Sequence, residues 1–370
     1  MCGRARTRRF IGGPALVLGA LLSSGCGAPA NAAPRPASPL IPTATTAAAP
    51  TASVAPVPTP TLTPEATRTV IATASTSTVR VLFVGDINPG RCPAALALAA
   101  DDFTLPYRDV GAVLREADLA VGSLDGALSD VSPPAACTPE REYNLIGPTR
   151  TIEGLAFAGF DLLSVATNHA QDCGSSGFVC DGRVLADTLR TLRAADIAPV
   201  GAGEDLDAAR RAVIVERNGL RLAFLAVSAV GDFAWADADR PGTAPLSEST
   251  LPDVLADIRA ARASTDAVVV LVHWGIEYDP MPTPDQRRWA ERMIAAGATL
   301  VVGNHPHVIQ PIEPEGAGLV AYALGNFVFD QDPDATRHGL VLEATFSTVG
   351  LADWRTLPIE IVDLYRPEWR

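Results

Sequence analysis

Arg80-Val81-Leu82-Phe83-Val84-Gly85-Asp86 is the stretch on which the architecture turns. Four consecutive apolar residues, closed by Arg on one side and Gly-Asp on the other, are too short for a buried helix. They read as a strand covered on both faces. The pattern repeats downstream. Tyr107–Glu116 reads as a helix, followed by a strand near Ala117–Ser123. Helical Thr149–Gly159 precedes a strand at Leu162–Ala166, and Val184–Ala194 is helical again. Helices at Pro252–Arg262 and Pro284–Ala295 precede strands at Ala267–Val272 and Thr299–Val302, with further strands at Leu319–Leu324 and Gly339–Phe346. Such alternation predicts an α/β layered domain. Arg211–Glu216 and Arg221–Ser228 flank Asn218-Gly219, a dipeptide that accepts the positive φ of a tight hairpin, so the sheet is not purely parallel.

The chemistry lies in the residues just past each strand. Asp86 comes after the first, Asp125 after the second and Asn168-His169 after the third; His273 and then Asn304, His305 and His307 come after two more. Ligands of open α/β sheets bind beyond the carboxyl ends of strands, so these residues are expected on one edge of the fold. The chain has five His, and four of them stand at these strand ends. Asp, Asn and His together suit a divalent cation such as Mn, Zn, Mg or Fe(II). Singly, each residue has a plainer reading: a strand-end Asp caps a turn, Asn168 sits in one, and Trp274 packs. A purely structural reading of all four His as satisfied loop groups predicts that chelators change nothing.

The rest of the chain sets the context. Residues 1–25 read as an export signal, with Arg4, Arg6, Arg8 and Arg9 before the short apolar run Ile11–Leu22. Ser23-Ser24-Gly25-Cys26 resembles a lipoprotein cleavage box with Cys26 as the lipidated residue, and Arg8-Arg9 resembles a twin-arginine signal. An ordinary secretory signal with an incidental Cys is the alternative. Residues 26–78 are almost wholly Ala, Pro, Thr, Ser and Val and read as a disordered stalk of roughly 150 Å when extended. The globular domain is expected at 79–370. The 29 basic residues are all Arg and face 42 acidic ones, for a net charge of −13, which excludes nucleic acid or anionic lipid as the main partner. Beyond Cys2 and Cys26 there are four cysteines, which allow three pairings. Cys173–Cys180, closing a short loop, with Cys92–Cys137 is the favoured pairing; no C-x-x-C spacing supports a zinc site.

In order along the chain, Val84-Gly85-Asp86-Ile87 with Arg91, Gly122-Ser123-Leu124-Asp125, Gly159-Phe160-Asp161, Ala166-Thr167-Asn168-His169 with Asp172 and Gly174, and Pro199-Val200-Gly201-Ala202-Gly203 form a specific series. It continues through His273-Trp274-Gly275-Ile276-Glu277-Tyr278, Gly303-Asn304-His305-Pro306-His307-Val308 with Gln310 and Glu313, and Tyr322 to Gln331. This series resembles the CapA-type capsule or poly-γ-glutamate synthesis proteins, a branch of the calcineurin-like metallophosphatase superfamily. The resemblance implies a four-layer α/β/β/α sandwich with two mixed sheets. It implies one or two divalent ions held by Asp86, Asp125, Asn168, His273, His305 and His307, with His169 as acid or charge stabiliser and Arg91 on an anionic group of the substrate. The leader predicts an extracytoplasmic, lipid-anchored protein, with a secreted one as the alternative, and the resemblance implies that it acts on an anionic envelope polymer or a phosphoester, beside membrane-bound synthase or export subunits. Asp125 stands where the family usually has Glu, Asn304 where a second His is common, Thr167 where a second Asn is common, and Asn88 where the superfamily has His. These departures leave room for a site with one ion, and for a polymer-binding accessory without catalysis.

Overall fold

The computed structural model describes residues 77–131, 137, 143–172 and 182–370. The leader, the stalk, Cys26, Cys173 and Cys180 lie outside the described residues. The strands are β1 (Thr78–Ile87), β2 (Leu119–Leu124), β3 (Ala127–Leu128), β4 (Ile146–Gly147), β5 (Leu162–Ser164), β6 (Ala198–Val200), β7 (Ala202–Gly203), β8 (Val213–Arg217) and β9 (Leu220–Ser228). They continue as β10 (Gly242–Thr243), β11 (Ala267–His273), β12 (Leu300–Asn304), β13 (Ile312–Glu315), β14 (Gly318–Ala321), β15 (Asn326–Val328), β16 (His338–Ser347), β17 (Gly350–Val362) and β18 (Arg366–Trp369). The helices are α1 (Arg91–Ala100), α2 (Gly111–Arg115), α3 (Thr151–Ala158), α4 (Arg183–Ala194), α5 (Leu206–Arg210), α6 (Leu251–Arg262) and α7 (Pro284–Ala296).

Two mixed sheets result. The first runs β18-β17-β16-β1-β2-β5-β6, with β15 alongside the end of β1; the second runs β13-β14-β12-β11-β9-β8. In the first, β1, β2, β5 and β6 are parallel and β16 is antiparallel to β1. In the second, β9, β11, β12 and β14 are parallel and hairpins close both edges.

Strand alternation builds four layers. Val79, Val81 and Phe83 of β1 face Leu222, Phe224, Val269 and Leu271 of the second sheet in a shared core. Leu82 and Val84, pointing the other way, pack with Leu114, Leu155, Leu185 and Leu189 of α2, α3 and α4. On the far side, Ala223, Leu225, Val268 and Val270 pack with Val254, Ile258, Ala290 and Met293 of α6 and α7. The order is α/β/β/α, the sandwich that the resemblance implies.

Local chemistry sets the boundaries. Asn218 (φ 51°) and Gly219 (φ 79°) form the β8–β9 turn. The Thr283 hydroxyl and the Gln286 side chain cap α7 reciprocally, with Pro284 in its first turn and Gly297 at φ 115° ending it. The helix expected over Tyr107–Glu116 is instead a 3₁₀ turn at Leu105–Tyr107 and the short α2, since β-branched Val110 followed by Gly111 is a poor helix interior. Cys92 of α1 is disulfide-bonded to Cys137. No helix among the described residues is long and apolar enough to cross a membrane.

Candidate metal centre

Both sheets end at the same place. Asp86 lies near the end of β1, in register with Ser123 of β2 and Asn326 of β15. Asp125 follows β2 directly, and its N–H donates to the Ile87 carbonyl at 2.9 Å. From the second sheet, His273 ends β11 in register with Asn304 at the end of β12. The next turn carries His305 at φ 97° and His307 at φ 59°. Two non-glycine residues in the left-handed region within three positions store strain, a feature that clusters at functional sites.

The two halves meet closely. His273 Nδ1 lies 3.9 Å from Asp86 Oδ1, and its Nε2 lies 3.7 Å from Asp125 Oδ1. His307 Nδ1 lies 3.7 Å from Asp86 Oδ2, and its Nε2 lies 3.9 Å from Asp125 Oδ2. The His305 N–H donates to Asp86 Oδ2 at 2.9 Å. Asn168 joins from the loop after β5, its Oδ1 2.7 Å from His273 Nε2. Asp86, Asp125 and His307 each offer a ligand atom within 4.8 Å of the others, as do Glu277, His305 and His307.

These groups are buried, and much of their polar capacity is unspent. Asp86 Oδ1, both Asp125 side-chain oxygens, His273 Nδ1, Asn304 Oδ1 and His305 Nδ1 have no hydrogen-bond partner among the described residues. Such a cluster of unpartnered polar atoms is costly to bury unless something else satisfies it. Burial pushes the Asp86 carboxyl well above its usual range, and the nearby Asp125 charge adds to this. Burial likewise pushes Asp125 up to about 6. The imidazoles move the other way: burial, with the neighbouring rings, drives His273 well down, His305 to about 4 and His307 to about 3. Neutral imidazoles beside two carboxylates, all with open lone pairs, fit a divalent cation.

His169 stands beside this cluster on different terms. Its Nδ1 lies 2.7 Å from Asp172 Oδ2, an oxygen that also accepts the Leu145 N–H at 2.8 Å. Burial pulls this imidazole down, but the Asp125 charge and the Asp172 hydrogen bond outweigh it and hold the ring at about 9. His169 lines a cavity of about 340 Å³ together with Arg91, Glu277, Tyr278 and His307. Arg91, at φ 41°, is ion-paired with buried Asp330, which also accepts from Asn88 Nδ2 at 3.0 Å and the Cys92 N–H at 3.1 Å. Its guanidinium sits 5.4 Å from the Phe329 ring centroid.

Residues 80–331 match the family described as bacterial capsule synthesis protein PGA_cap. The chain belongs to this family. It is 30% identical over 281 residues to the capsule biosynthesis protein CapA of Bacillus anthracis, covering 75% of this chain and 66% of that one. It is 30% identical over 295 residues to the PGA biosynthesis protein CapA of Bacillus subtilis (strain 168), covering 79% and 74%. Among solved structures, a 5'-nucleotidase precursor of Thermus thermophilus aligns with a TM-score of 0.45 and 12% identity, over 78% of this chain and 55% of that one.

Of the residues singled out in this PGA_cap chain, Asp86, Asp125, Asn168, His273 and His307 form one contact network, and His305 joins it through its backbone and its ring, 4.8 Å from His273. Arg91 and His169 line the adjoining cavity. Trp274 is fully buried and donates to the Tyr322 carbonyl at 2.9 Å, a packing role. The sequence pattern does not select Glu277, Asp172 or Asp330 as functional. Glu277 lies four residues past His273, beyond the positions that a strand-end rule selects. Asp172 and Asp330 act through their partners, and only His169 or Arg91 could have drawn attention to them.

Proposed function

We propose that this PGA_cap protein is a metal-dependent hydrolase of phosphoester type serving capsule or poly-γ-glutamate synthesis or export, held outside the cytoplasm by a lipid on Cys26 and a stalk over 26–78. The observation that carries the chemical reading is the buried set of unpartnered ligand atoms from Asp86, Asp125, His273 and His305. Asp86, Asp125, Asn168, His273, His305 and His307 would hold one or two ions, with Mn, Zn, Fe and Mg all compatible with these donors. A cation there supplies Lewis-acid polarisation of a phosphoryl or acyl oxygen and lowers the pKa of water.

The chain's own groups do the rest. Asp172 fixes the His169 ring through Nδ1, which leaves Nε2 as the atom that donates a proton to a leaving oxygen. In the cation-free site the Asp125 charge and the Asp172 hydrogen bond raise this ring to about 9. Arg91, oriented by Asp330 on the cavity wall, takes an anionic group of the substrate. The names of the relatives, a capsule biosynthesis protein and a PGA biosynthesis protein, support an anionic envelope polymer as the setting, with membrane-bound synthase or export subunits as partners. A second reading, a polymer-binding accessory without turnover, is favoured by Asp125, whose side chain is one methylene shorter than the usual Glu.

The test is elemental metal content per chain, with hydrolysis of a chromogenic phosphodiester by wild type and His169→Ala. Bound metal in both proteins and a turnover loss of about 100-fold or more in the variant are expected. Metal retained with no turnover in wild type selects the accessory reading; no metal after reconstitution with Mn or Zn removes the hydrolase reading and leaves a polymer-binding protein without the chemistry.

A further inference from the structure

A second concave site lies away from the cation cluster, at the open edge of the sandwich. There β6 is the last strand of the first sheet and β8 the last strand of the second. Between them, under α4, is a cleft of about 620 Å³ whose walls include Pro199 of β6 and Val213 of β8. Arg183, Arg190, Arg193 and Arg211 are among its lining residues, with Glu204 as the acidic one. All four Arg are exposed. In a chain with 42 acidic and 29 basic residues, this is a local reversal of charge.

The row is built into a helix. Val184, Leu185, Thr188, Leu189 and Leu192 fix the buried face of α4. Arg183, Arg190 and Arg193 are spaced seven and three residues apart, which keeps them on one side at 3.6 residues per turn and spans about 15 Å. Arg190 is ion-paired with Asp187 at 2.6 Å, whereas Arg193 and Arg211 form no ion pair among the described residues. A row of this length suits a chain with repeated charges better than one small anion.

The wall of the cleft packs against the loop that carries Asn168 and His169. Gln171, two residues past His169 and buried, donates to the Pro241 carbonyl at 2.9 Å, and Pro241 is part of the cleft wall. Gly201, at φ 84° on the cleft floor, packs so closely that an added Cβ would lie 2.8 Å from the Ala166 Cβ at the start of that loop.

We propose that this Arg-lined cleft binds a segment of a polycarboxylate chain, guiding an anionic polymer along the edge of the sandwich toward the His169 loop. The choice of a polycarboxylate rests on the capsule-polymer reading above; the cationic character of the cleft does not.

The experiment measures binding of a fluorescein-labelled oligo-γ-glutamate to the full chain by anisotropy at low and high salt, for wild type, Arg193→Glu and Arg211→Glu. These two residues sit on different elements, so a folding defect in one leaves the other informative. Saturable, salt-sensitive binding by wild type is expected, weakened about tenfold by either charge reversal, with metal content and chromogenic turnover unchanged. Absent binding by wild type, or binding by both variants as tight as that of wild type, overturns the proposal. Displacement of the probe by inorganic polyphosphate at lower concentration than by unlabelled oligo-γ-glutamate also overturns it, in favour of a phosphate polyanion. Loss of turnover or metal in wild type, with binding intact, strikes the hydrolase reading and leaves this one standing.

Discussion

The two sheets bring opposite chemistry to their shared edge. The first contributes carboxylates, Asp86 and Asp125, with Asn168 and His169 from its third parallel strand; the second contributes the imidazoles of His273, His305 and His307. Burial moves the two sets apart in proton affinity, raising the acids and lowering the imidazoles. Neither half is a binding site alone. Acids without a cation resist ionisation, and neutral imidazoles without one leave lone pairs idle. The centre is thus a property of sheet-on-sheet packing, stitched by His305 N–H to Asp86 and by Asn168 to His273.

The sharpest way to break the comparison is to remove one donor from each half. Asp86→Ala and His307→Ala should each abolish tight cation binding, a loss of about 4 kcal/mol or more, read by elemental analysis after dialysis. Retention of full metal by either variant would show that one sheet suffices. The next largest effect concerns the first sheet's side. Cys92→Ser opens the Cys92–Cys137 bridge, whose cysteines are 45 residues apart, and should cost about 4 kcal/mol of unfolding free energy in denaturant titration. Metal affinity of the folded variant should hold, because the bridge touches none of the donors.

The glycines that let backbone pass close to each half offer a matched pair. A Cβ at Gly85 would lie 2.0 Å from the Gly325 carbonyl oxygen, and one at Gly303 would lie 1.9 Å from that of Tyr322. Gly85→Ala and Gly303→Ala should each destabilise by about 3 kcal/mol, measured by thermal melts. A mild effect in one alone would identify the softer sheet edge. The smallest effect is pH-dependent. His169 is raised from the ordinary 6.5 to about 9, so in metal-stripped protein its contribution is complete below about 6.5 and is lost as pH rises to about 9. The loss should be on the order of 2 kcal/mol, less than full linkage because the ring meets solvent at the cavity mouth. Asp172→Asn should flatten that slope.

Much of this was legible in the sequence where one physical signal dominated. The doubly covered strands β1, β9, β11 and β12 announced themselves as unbroken apolar runs, and the Asn218-Gly219 turn as a pair tolerant of positive φ. The candidate site was legible because strand ends are where polar residues have no other reason to gather. The long strand β17 and its partner β18 are not legible in the sequence, because Gly350–Val362 is exposed or half-exposed along most of its length and carries no clean alternation. β6 was hidden by Pro199, which an edge strand tolerates and a propensity reading penalises. Glu277 escapes the strand-end pattern because its approach to His305 and His307 comes from the turn after β11 rather than from the strand.

The pairing of β1 with β16 sets a schedule for the molecule's birth. Thr78–Ile87 is the first of the described strands to be synthesised, yet its antiparallel neighbour, His338–Ser347, emerges among the last of them. One flank of β1 therefore stays open for most of chain growth, and the strand bearing Asp86 cannot settle into a finished sheet until the hairpin beyond it arrives. A nascent chain stopped before residue 338 would hold every donor of the centre and still lack the strand that seats the first of them.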